Sequence, residues 1–247
     1  MIIREIRARS ILVKSQISDY TVNPYVGCQH RCTYCYARFM KRFSGHKEPW
    51  GEFVDVKINA PDLMSKEINR KPPGRVWISG VCDPYQPIEK RYELTRKCVG
   101  ILIGRGWPVT VQTKSPLVLR DADLFKRGAT VEVGLSIATA DDDMRELFEP
   151  NAPPVEERIK ALGELHHEGI RTYAMIAPML PGAEGLAARL SGNVDYVVID
   201  RMNYHYGDWV YRKHRLQKAT GHNFFRSKGK ELTSALAEQG IESRVLF

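Results

Sequence analysis

The stretch NPYVGCQHRCTYCYAR, residues 23–38, decides how the rest of the chain is interpreted. It contains three of the five cysteines, Cys28, Cys32 and Cys35, in the spacing C-x3-C-x2-C. Thiolates this close together in one loop can converge on a single metal centre. A closed zinc site or a fully ligated iron–sulfur cluster takes four protein ligands. Three thiolates therefore favour a [4Fe–4S] cluster in which one iron is left open to bind a small molecule.

Two tyrosines flank the third cysteine of this loop. Tyr34 precedes Cys35 and Tyr36 follows it, and an aromatic ring at these positions can cover a cluster and its ligand against water. The alternative is a zinc knuckle that takes a histidine as its fourth ligand. His30 within the loop and His46 beyond it are the candidates for that ligand.

The spacing of the cysteines and the aromatic Tyr34 before the last of them resemble the signature of the radical S-adenosylmethionine (SAM) enzymes. Within that superfamily the chain looks most like the spore photoproduct lyase family, from residue 10 to about residue 200. The resemblance implies a [4Fe–4S] cluster at which SAM is reductively cleaved to a 5′-deoxyadenosyl radical, which abstracts a hydrogen atom from the substrate. It also implies an electron donor such as flavodoxin or ferredoxin.

Composition and charge narrow the class of protein. The 247 residues, 43% apolar and 27% charged, are typical of one α/β domain or two small domains. The first residues lack the pattern of a signal peptide, and we find no apolar run of membrane-spanning length. We therefore expect a cytoplasmic monomer without membrane contact. The formal charge of +8 favours a polyanionic partner, although an alkaline isoelectric point alone would also produce it.

From Arg75 onward, strand patterns alternate with amphipathic helix patterns. Together with a first strand in residues 20–26, the alternation predicts six strands, near residues 22, 77, 110, 133, 174 and 197. Such alternation implies a parallel sheet, and six units are too few for a closed eight-fold barrel. We predict an α/β fold, a partial (β/α)6 barrel of the radical SAM type over residues 1–200. A C-terminal helical cap over residues 201–247, with a short final strand, is expected to belong to the same domain.

The region between the cysteine loop and Arg75 gives weaker signals. Apolar side chains recur at helical spacing after Tyr36, which predicts a helix that ends near Gly45. Residues 46–61 contain two prolines and a glycine and are predicted to be irregular. A short helix is expected to begin at Pro61.

The segment SGVCDPYQPIE, residues 79–89, follows the second strand at the end of the sheet where the cysteine loop also emerges. By resemblance, the backbone of residues 80–83 contacts the SAM amino group, and Asp83 can accept a hydrogen bond from it. The alternative for Asp83 is an Asx-type turn. The lyases carry a cysteine on this loop that donates a hydrogen atom, in a shifted register, so Cys82 and Tyr36 are the candidate catalytic residues. The alternative for Cys82 is a small buried thiol.

Three further positions match SAM contacts of the lyase family. They are Lys114 after the third strand, Ser136 at the end of the fourth and Ala177 after the fifth. Lys114 would offer its ammonium group to the SAM carboxylate and Ala177 its backbone to the adenine. The alternative for Ser136 is a strand-end hydroxyl that satisfies a loop. Glu149 and Arg158 also fit the family pattern, and an ion pair between them is favoured over a contact to SAM.

The segment Tyr204–Lys230, which we call the basic segment, contains seven Lys or Arg residues, six aromatic residues and one acid, Asp208. Basic groups for phosphates, interleaved with rings for base stacking, are typical of nucleic-acid contact surfaces. The alternative is a solvated helix whose rings pack against the barrel. Three functions stay open: a radical SAM enzyme for nucleic acid (lyase-type DNA repair or base modification), one for a peptide or small metabolite, and a non-catalytic zinc-knuckle nucleic-acid-binding protein.

Overall fold

The structure is a computed structural model that describes residues 1–247, and the chain forms two compact units. The first unit comprises residues 1–30 and 37–133, and the second comprises residues 31–36 and 134–247. The predicted boundary between a barrel core and a C-terminal cap stays a prediction.

The first unit contains seven strands: β1 (Ile2–Ile6), β2 (Leu12–Lys14), β3 (Tyr20–Val22), β4 (Tyr25–Val26), β5 (Phe53–Lys57), β6 (Val76–Ile78) and β7 (Val109–Thr113). Strands β1, β5 and β4 form a small sheet in that order, while β7, β6, β3 and β2 lie side by side. Strands β3, β6 and β7 are parallel, and β2 pairs antiparallel with β3. Val76 and Ile78 of β6 and Val109 and Val111 of β7 are completely buried, as expected for parallel strands in a core, while Trp77 of β6 is half-buried.

The helices of this part of the chain are α1 (Ala60–Glu67), α2 (Glu89–Tyr92), α3 (Leu94–Gly104) and α4 (Ala122–Phe125), with 3-10 helices at Tyr36–Phe43, Ile68–Arg70 and Pro116–Asp121. Helix α3 buries Leu94, Cys98 and Leu102, which recur every four residues along one face. Pro61 lies in the first turn of α1, where its missing N–H costs no hydrogen bond.

The second unit contains β8 (Val131–Ser136), which crosses the boundary between the units, and β9 (Arg171–Ile176), β10 (Tyr196–Ile199), β11 (Glu242–Val245), α5 (Asp142–Phe148), α6 (Val155–His167), α7 (Leu186–Leu190), α8 (Asp208–Lys213) and α9 (His222–Glu238). The strand order is β11-β10-β9-β8, and β10 is parallel to β9 and β11. Helix α9 packs on α7 and β11 through a stripe that includes Phe225, Leu232 and Leu236. Burial of each such side chain contributes about 1.5–3 kcal/mol, so this stripe holds the C-terminal segment to its unit.

The predicted α/β class with a mostly parallel sheet is confirmed. All six predicted strands are present, as β3, β6, β7, β8, β9 and β10. The expected C-terminal strand is β11, and α8 and α9 precede it. No helix combines the length and the hydropathy that a membrane crossing requires.

One prediction between the cysteine loop and Arg75 was wrong, and another was right in position but not in helix type. Residues 46–61 are not irregular throughout, because β5 lies within them and buries Phe53, Val54 and Val56. Its charged Asp55 masked the strand pattern, since that buried carboxylate is bound by Arg4 and by His46, each at 2.8 Å. The helix predicted after Tyr36 is a 3-10 helix, whose apolar side chains are largely exposed and therefore do not form a core-facing stripe.

Candidate active site

The first cysteine lies on a backbone that the loop after β6 holds in place. Cys28 is 8% exposed. On one side of it, Gln86 Nε2 donates a hydrogen bond to Gly27 O at 3.2 Å, and on the other, Gln29 N donates to Gln86 Oε1 at 3.0 Å. Ile88 N donates to Gln29 Oε1 at 2.6 Å. These side-chain amides fix the backbone before and after Cys28.

Gly27 allows the cysteine loop to lie directly against β5. Its φ of +94° is in the left-handed region, which side chains rarely adopt. A Cβ added there would lie 2.2 Å from the carbonyl oxygen of Phe53, closer than any real contact. A larger residue at this position would therefore displace the backbone that carries Cys28.

Asp83 connects three segments of the first unit. Its Oδ2 lies 3.2 Å from His30 Nε2 in the cysteine loop and accepts a hydrogen bond from Lys114 N at 2.7 Å. Its Oδ1 accepts hydrogen bonds from Thr113 Oγ1 at 2.6 Å and Tyr85 N at 2.8 Å. Burial raises the pKa of Asp83, but the attraction and hydrogen bond of His30 and the bonds of Thr113 and Lys114 outweigh it and lower the pKa to about 2. The carboxylate is therefore ionised at neutral pH.

The Asx-type turn, which was the alternative for Asp83, is confirmed by the bond from Tyr85 N. A carboxylate has about four lone-pair positions for hydrogen bonds. The donors Tyr85, Thr113 and Lys114 take three of them, so the carboxylate orients the loop after β7. The predicted hydrogen bond from Asp83 to the SAM ammonium group stays a prediction.

Both histidines proposed as a fourth zinc ligand are bound to carboxylates. His46 Nδ1 lies 3.2 Å from Glu48 Oε2, and its Nε2 lies 2.8 Å from Asp55 Oδ1. His30 directs Nε2 at Asp83. No group of three or more His, Cys, Asp or Glu side chains is spaced to hold a single ion; a [4Fe–4S] cluster, whose thiolates bind separate irons, is a wider site.

The other two cysteines of the loop lie in the second unit. Cys35 N donates a hydrogen bond to Cys32 O at 3.2 Å, and Thr33 N donates to Phe148 O, at the end of α5, at 2.8 Å. Cys32 is 9% exposed and Cys35 is half-buried. No cysteine of the chain forms a disulfide. Cys32 and Tyr34 belong to an apolar cluster with Ala138, Phe148, Leu180, Val210, Tyr211 and Ala219.

Tyr34, next to the third cysteine, is anchored by a buried ion pair. Its hydroxyl donates a hydrogen bond to Glu149 Oε1, and Glu149 Oε2 lies 2.6 Å from Arg158 Nη1. Glu149 and Arg158 are completely buried, and Arg158 also donates to the carbonyls of Ser136 (3.0 Å) and Pro153 (2.8 Å). Burial and the Glu149 charge raise the pKa of Tyr34 well above its ordinary value, so the hydroxyl stays a donor. The predicted ion pair is confirmed.

Cys82 is half-buried and packs against an apolar cluster of the first unit that includes Tyr25 and Val54. Burial raises the pKa of the Cys82 thiol to about 12, and the opposing effects of Ser79 and Lys57 offset this only in part. The sulfur therefore keeps its proton at neutral pH. A hydrogen-atom donor needs that intact S–H bond, whereas a nucleophile would need the thiolate. The protonated Cys82 thiol is therefore compatible with hydrogen-atom donation, which stays a prediction.

The three candidate SAM contacts lie at the carboxyl ends of parallel strands. Lys114 directly follows β7 in the first unit, and its backbone N–H binds Asp83. In the second unit, Ser136 is the buried last residue of β8, and the half-buried Ala177 directly follows β9 and precedes a cis proline. Their contacts to SAM stay predictions.

The aromatic residues of the basic segment divide into two sets. Tyr211 and Phe225 are buried and attach α8 and α9 to the unit, as the packing alternative predicted. Tyr204, Tyr206 and Trp209 are 51%, 38% and 49% exposed, as a contact surface requires. Phe224 is partly buried and packs against the apolar cluster of Cys32 and Tyr34. Three rings are therefore packed as the alternative predicted, and for the three exposed rings nucleic-acid contact stays a prediction.

Most of the positive charge of the basic segment is exposed. Lys228 is an exception, because its Nζ lies 3.1 Å from Glu184 Oε1 and 2.9 Å from Glu231 Oε2. The only acid of the segment, Asp208, lies 3.1 Å from His205 Nδ1. The exposed basic residues are Arg212, Lys213, Arg215, Lys218, Arg226 and Lys230.

Sequence reasoning did not predict that Gln29 and Gln86 hold the backbone around Cys28, and it considered His30 only as a metal ligand. The signal was present, because the segment DPYQPIE places Gln86 between two prolines of a loop at the predicted ligand-binding end of the sheet. Buried amides are almost always hydrogen-bonded. The burial of Gln86 at 0% exposure, however, only becomes visible in the structure.

The sequence matches the Radical SAM superfamily over residues 22–184. An uncharacterised protein of Methanocaldococcus jannaschii is 43% identical over 164 residues, which are 66% of this chain and 61% of that protein. A radical SAM Nalpha-GlyT isomerase of Pseudomonas phage M6 is 24% identical over 161 residues, 64% of this chain and 33% of that protein. The alignments thus span less than two thirds of the length of these relatives.

Solved structures share the fold at low sequence identity. Spore photoproduct lyase complexed with dinucleoside spore photoproduct matches with a TM-score of 0.74 and 14% identity, over 99% of this chain and 82% of the lyase. SuiB of Streptococcus suis bound to the precursor peptide SuiA matches with a TM-score of 0.61 and 14% identity, over 92% of this chain and 48% of SuiB. The protein therefore has the α/β fold of spore photoproduct lyase.

Proposed function

Because the chain belongs to the radical SAM superfamily, whose members use a [4Fe–4S] cluster and SAM, we propose that Cys28, Cys32 and Cys35 ligate that cluster. None of the three is in a disulfide, and Cys28 and Cys32 are shielded from solvent. Thiolates are the usual protein ligands of iron–sulfur clusters. The donor set therefore fits the cofactor, and it leaves one iron for SAM.

The bound cofactors supply reductive cleavage of SAM to a 5′-deoxyadenosyl radical, which removes a hydrogen atom from the substrate. The residues of the chain bind SAM and orient it. Lys114 offers its ammonium group to the SAM carboxylate. Ser136 contacts SAM through its hydroxyl, and Ala177 contacts the adenine through its backbone. The backbone of residues 80–83 contacts the SAM amino group, and Asp83 accepts a hydrogen bond from it. Tyr34 and Tyr36 cover the ligand against water.

An electron donor such as flavodoxin or ferredoxin completes the proposed system. The cluster needs surroundings in which its three thiols stay reduced, so we place the protein in the cytoplasm. A monomer is sufficient for this proposal, since each proposed ligand comes from one chain. The net charge of +8 would attract an acidic electron carrier.

Cys82 is proposed to donate a hydrogen atom to the substrate radical, with Tyr36 as the second candidate for this step. The thiyl radical left on Cys82 would return to the thiol by taking one electron from the proposed electron donor and one proton from water. We expect Cys82→Ala to cleave SAM at close to the wild-type rate but to lower the yield of the normal product about tenfold or more, because the last hydrogen transfer is lost. Mass spectrometry of 5′-deoxyadenosine and product measures both steps. A variant with wild-type product yield and identity would show that Cys82 is only a buried thiol.

The proposed substrate is a nucleic acid, and the exposed bases and rings of the basic segment are the observation that carries this proposal. The segment holds seven Lys or Arg residues against one acid, a balance of +6 with histidine neutral, out of +8 for the whole chain. One solved structure of the same fold supports it, because spore photoproduct lyase is complexed with a dinucleoside. Repair by a lyase reaction and base modification are both compatible with this surface.

A peptide substrate is the second candidate, because SuiB, which shares the fold, binds a precursor peptide. The two candidates differ in their electrostatics. Nucleic-acid binding releases condensed counterions, so its affinity falls steeply with salt. A peptide carries no such counterion atmosphere, so its affinity is expected to depend only weakly on salt.

Replacing Arg212, Lys213 and Arg215 together with Ala is expected to weaken binding of all nucleic-acid sequences about equally, because phosphate contacts carry little sequence information. Loss of three phosphate contacts should reduce the magnitude of the slope of log affinity against log salt by roughly 2–3. Fluorescence anisotropy with labelled oligonucleotides at several salt concentrations measures both quantities.

The matched control removes the same charge from the first unit, as Arg105→Ala, Lys126→Ala and Arg127→Ala, all at exposed positions. This control variant should change the slope of log affinity against log salt far less. If the Arg212, Lys213 and Arg215 variant keeps the affinity and the salt slope of the wild type, the basic segment is not the nucleic-acid surface and the peptide or metabolite candidate moves ahead.

A further inference from the structure

Three tyrosine rings form a continuous stack in the second unit. The ring centroids of Tyr36 and Tyr204 are 5.9 Å apart with an interplanar angle of 21°, and those of Tyr204 and Tyr206 are 6.1 Å apart at 11°. These values lie in the range of offset-stacked aromatic pairs. We call these three residues the tyrosine ladder. It begins at the residue after Cys35 and continues outward along the start of the basic segment.

The ladder is exposed, although its rings are large and apolar. Tyr36, Tyr204 and Tyr206 are 43%, 51% and 38% exposed. The residues around them explain why the ladder is held in place: the adjacent Gly207 is buried, and a Cβ there would lie 3.3 Å from Tyr34 Cβ. The segment that carries two of the rings is therefore pressed against the cysteine loop, while the rings themselves face solvent.

The charges next to the ladder favour an anionic occupant. His205, between two rungs, is almost fully exposed and lies 3.1 Å from the carboxylate of Asp208, the only acid nearby in the basic segment. Beyond it, α8 buries Val210 and Tyr211, so its outer side presents Trp209, Arg212 and Lys213 to solvent. Rings in series beside exposed cations and a paired acid complement a chain of stacked bases and phosphates.

We propose that the tyrosine ladder is a stacking platform for unpaired bases of the nucleic acid, so that the enzyme takes a single-stranded or locally opened substrate. This proposal rests on the proposed function and specifies its substrate class. Within a duplex both faces of each base are covered by neighbouring base pairs, so only an unpaired or extruded base can stack on a protein ring. Because Tyr36 adjoins Cys35, the ladder leads such a strand toward the cysteine loop.

The test compares Tyr204→Ala with Tyr204→Phe in the anaerobically prepared holoenzyme. The probe is a fluorescein-labelled single-stranded oligothymidine of about twelve nucleotides, a length that covers an ordinary single-strand site. Loss of one stacked base lowers affinity by about 5–150-fold in alanine substitutions. We expect a loss of this size for Tyr204→Ala, a near wild-type affinity for Tyr204→Phe, and an unchanged salt slope for both, because no phosphate contact is removed.

Thermal melting and the visible absorption of the cluster show that both variants are folded and loaded. The proposal is overturned if Tyr204→Ala binds the oligothymidine as tightly as wild type, or if Tyr204→Phe is as weak as Tyr204→Ala, which would indicate a hydroxyl contact. It is also overturned if wild type binds the fully paired duplex more tightly than both the single strand and the same duplex with a loop of unpaired thymidines. These results leave nucleic-acid binding in place. Wild-type protein that binds neither probe at low salt would instead overturn the proposed function, and with it the ladder, in favour of a peptide.

Discussion

Replacing Cys32 with Ala is expected to abolish SAM cleavage, because a [4Fe–4S] cluster on three thiolates cannot keep its geometry on two. After anaerobic purification and reconstitution, the variant should hold much less iron and acid-labile sulfide than wild type. It should produce no 5′-deoxyadenosine above background, a loss of about a thousandfold or more by the usual scale of enzymatic acceleration. Iron analysis, visible absorption and chromatography of 5′-deoxyadenosine are the measurements.

The matched control is Cys98→Ala. Cys98 is buried on α3 and lies outside the cysteine loop, so its loss removes a small apolar group and no proposed ligand. This variant should keep the cluster and most of the activity. A Cys32→Ala protein with wild-type iron content, or a wild-type protein that holds one tightly bound zinc and no iron, would contradict the assignment of the three cysteines.

Glu149→Leu is expected to lower the free energy of unfolding by about 3–5 kcal/mol, since it leaves Arg158 as an unpaired charge in the interior. Both side chains are completely buried, and the same carboxylate accepts the hydrogen bond of Tyr34. The substitution therefore also loosens the loop between Cys32 and Cys35. Urea denaturation of the reduced, metal-free protein measures the change without the contribution of the cofactor.

Two comparisons make this prediction specific. The double variant Glu149→Leu with Arg158→Met should recover most of the lost stability, because replacing both partners of a buried pair with apolar groups is often nearly neutral. Glu156→Gln breaks the exposed pair with Arg189 and should cost at most about 1 kcal/mol. If the single and double variants are equally unstable, the loss comes from packing, and the buried charge does not explain it.

The parts of the fold that repeat a simple pattern could be predicted from the sequence. The strands β6 to β10 read as short apolar runs, and the helices between them read as amphipathic stretches, because both faces of a parallel sheet are covered. The strand β5 could not be predicted in this way. Its Asp55 is buried through an ion pair with Arg4, fifty-one positions away in the chain, and no local pattern reports such a partner.

The features of the candidate site that depend on the spacing of residues along the chain could be predicted from the sequence. The features that depend on which side chains are buried could not. The three cysteines and the Tyr34 position are visible in sixteen consecutive residues. The hydrogen bonds of Gln86 to the cysteine loop and the hydrogen bonds that converge on Asp83 depend on loops that meet only in the folded chain. The same limit applied to the basic segment, since exposure alone separates Tyr204 from Tyr211.

We propose that this radical SAM enzyme removes a hydrogen atom from a nucleic acid. The most direct test is anaerobic incubation of the holoenzyme with SAM, a reductant and uniformly deuterated single-stranded nucleic acid, followed by mass spectrometry of 5′-deoxyadenosine and recovered SAM. We predict that deuterium appears in one of these two molecules with wild-type enzyme and not with Cys32→Ala. Formation of 5′-deoxyadenosine without deuterium in either molecule, for both DNA and RNA, would contradict the account.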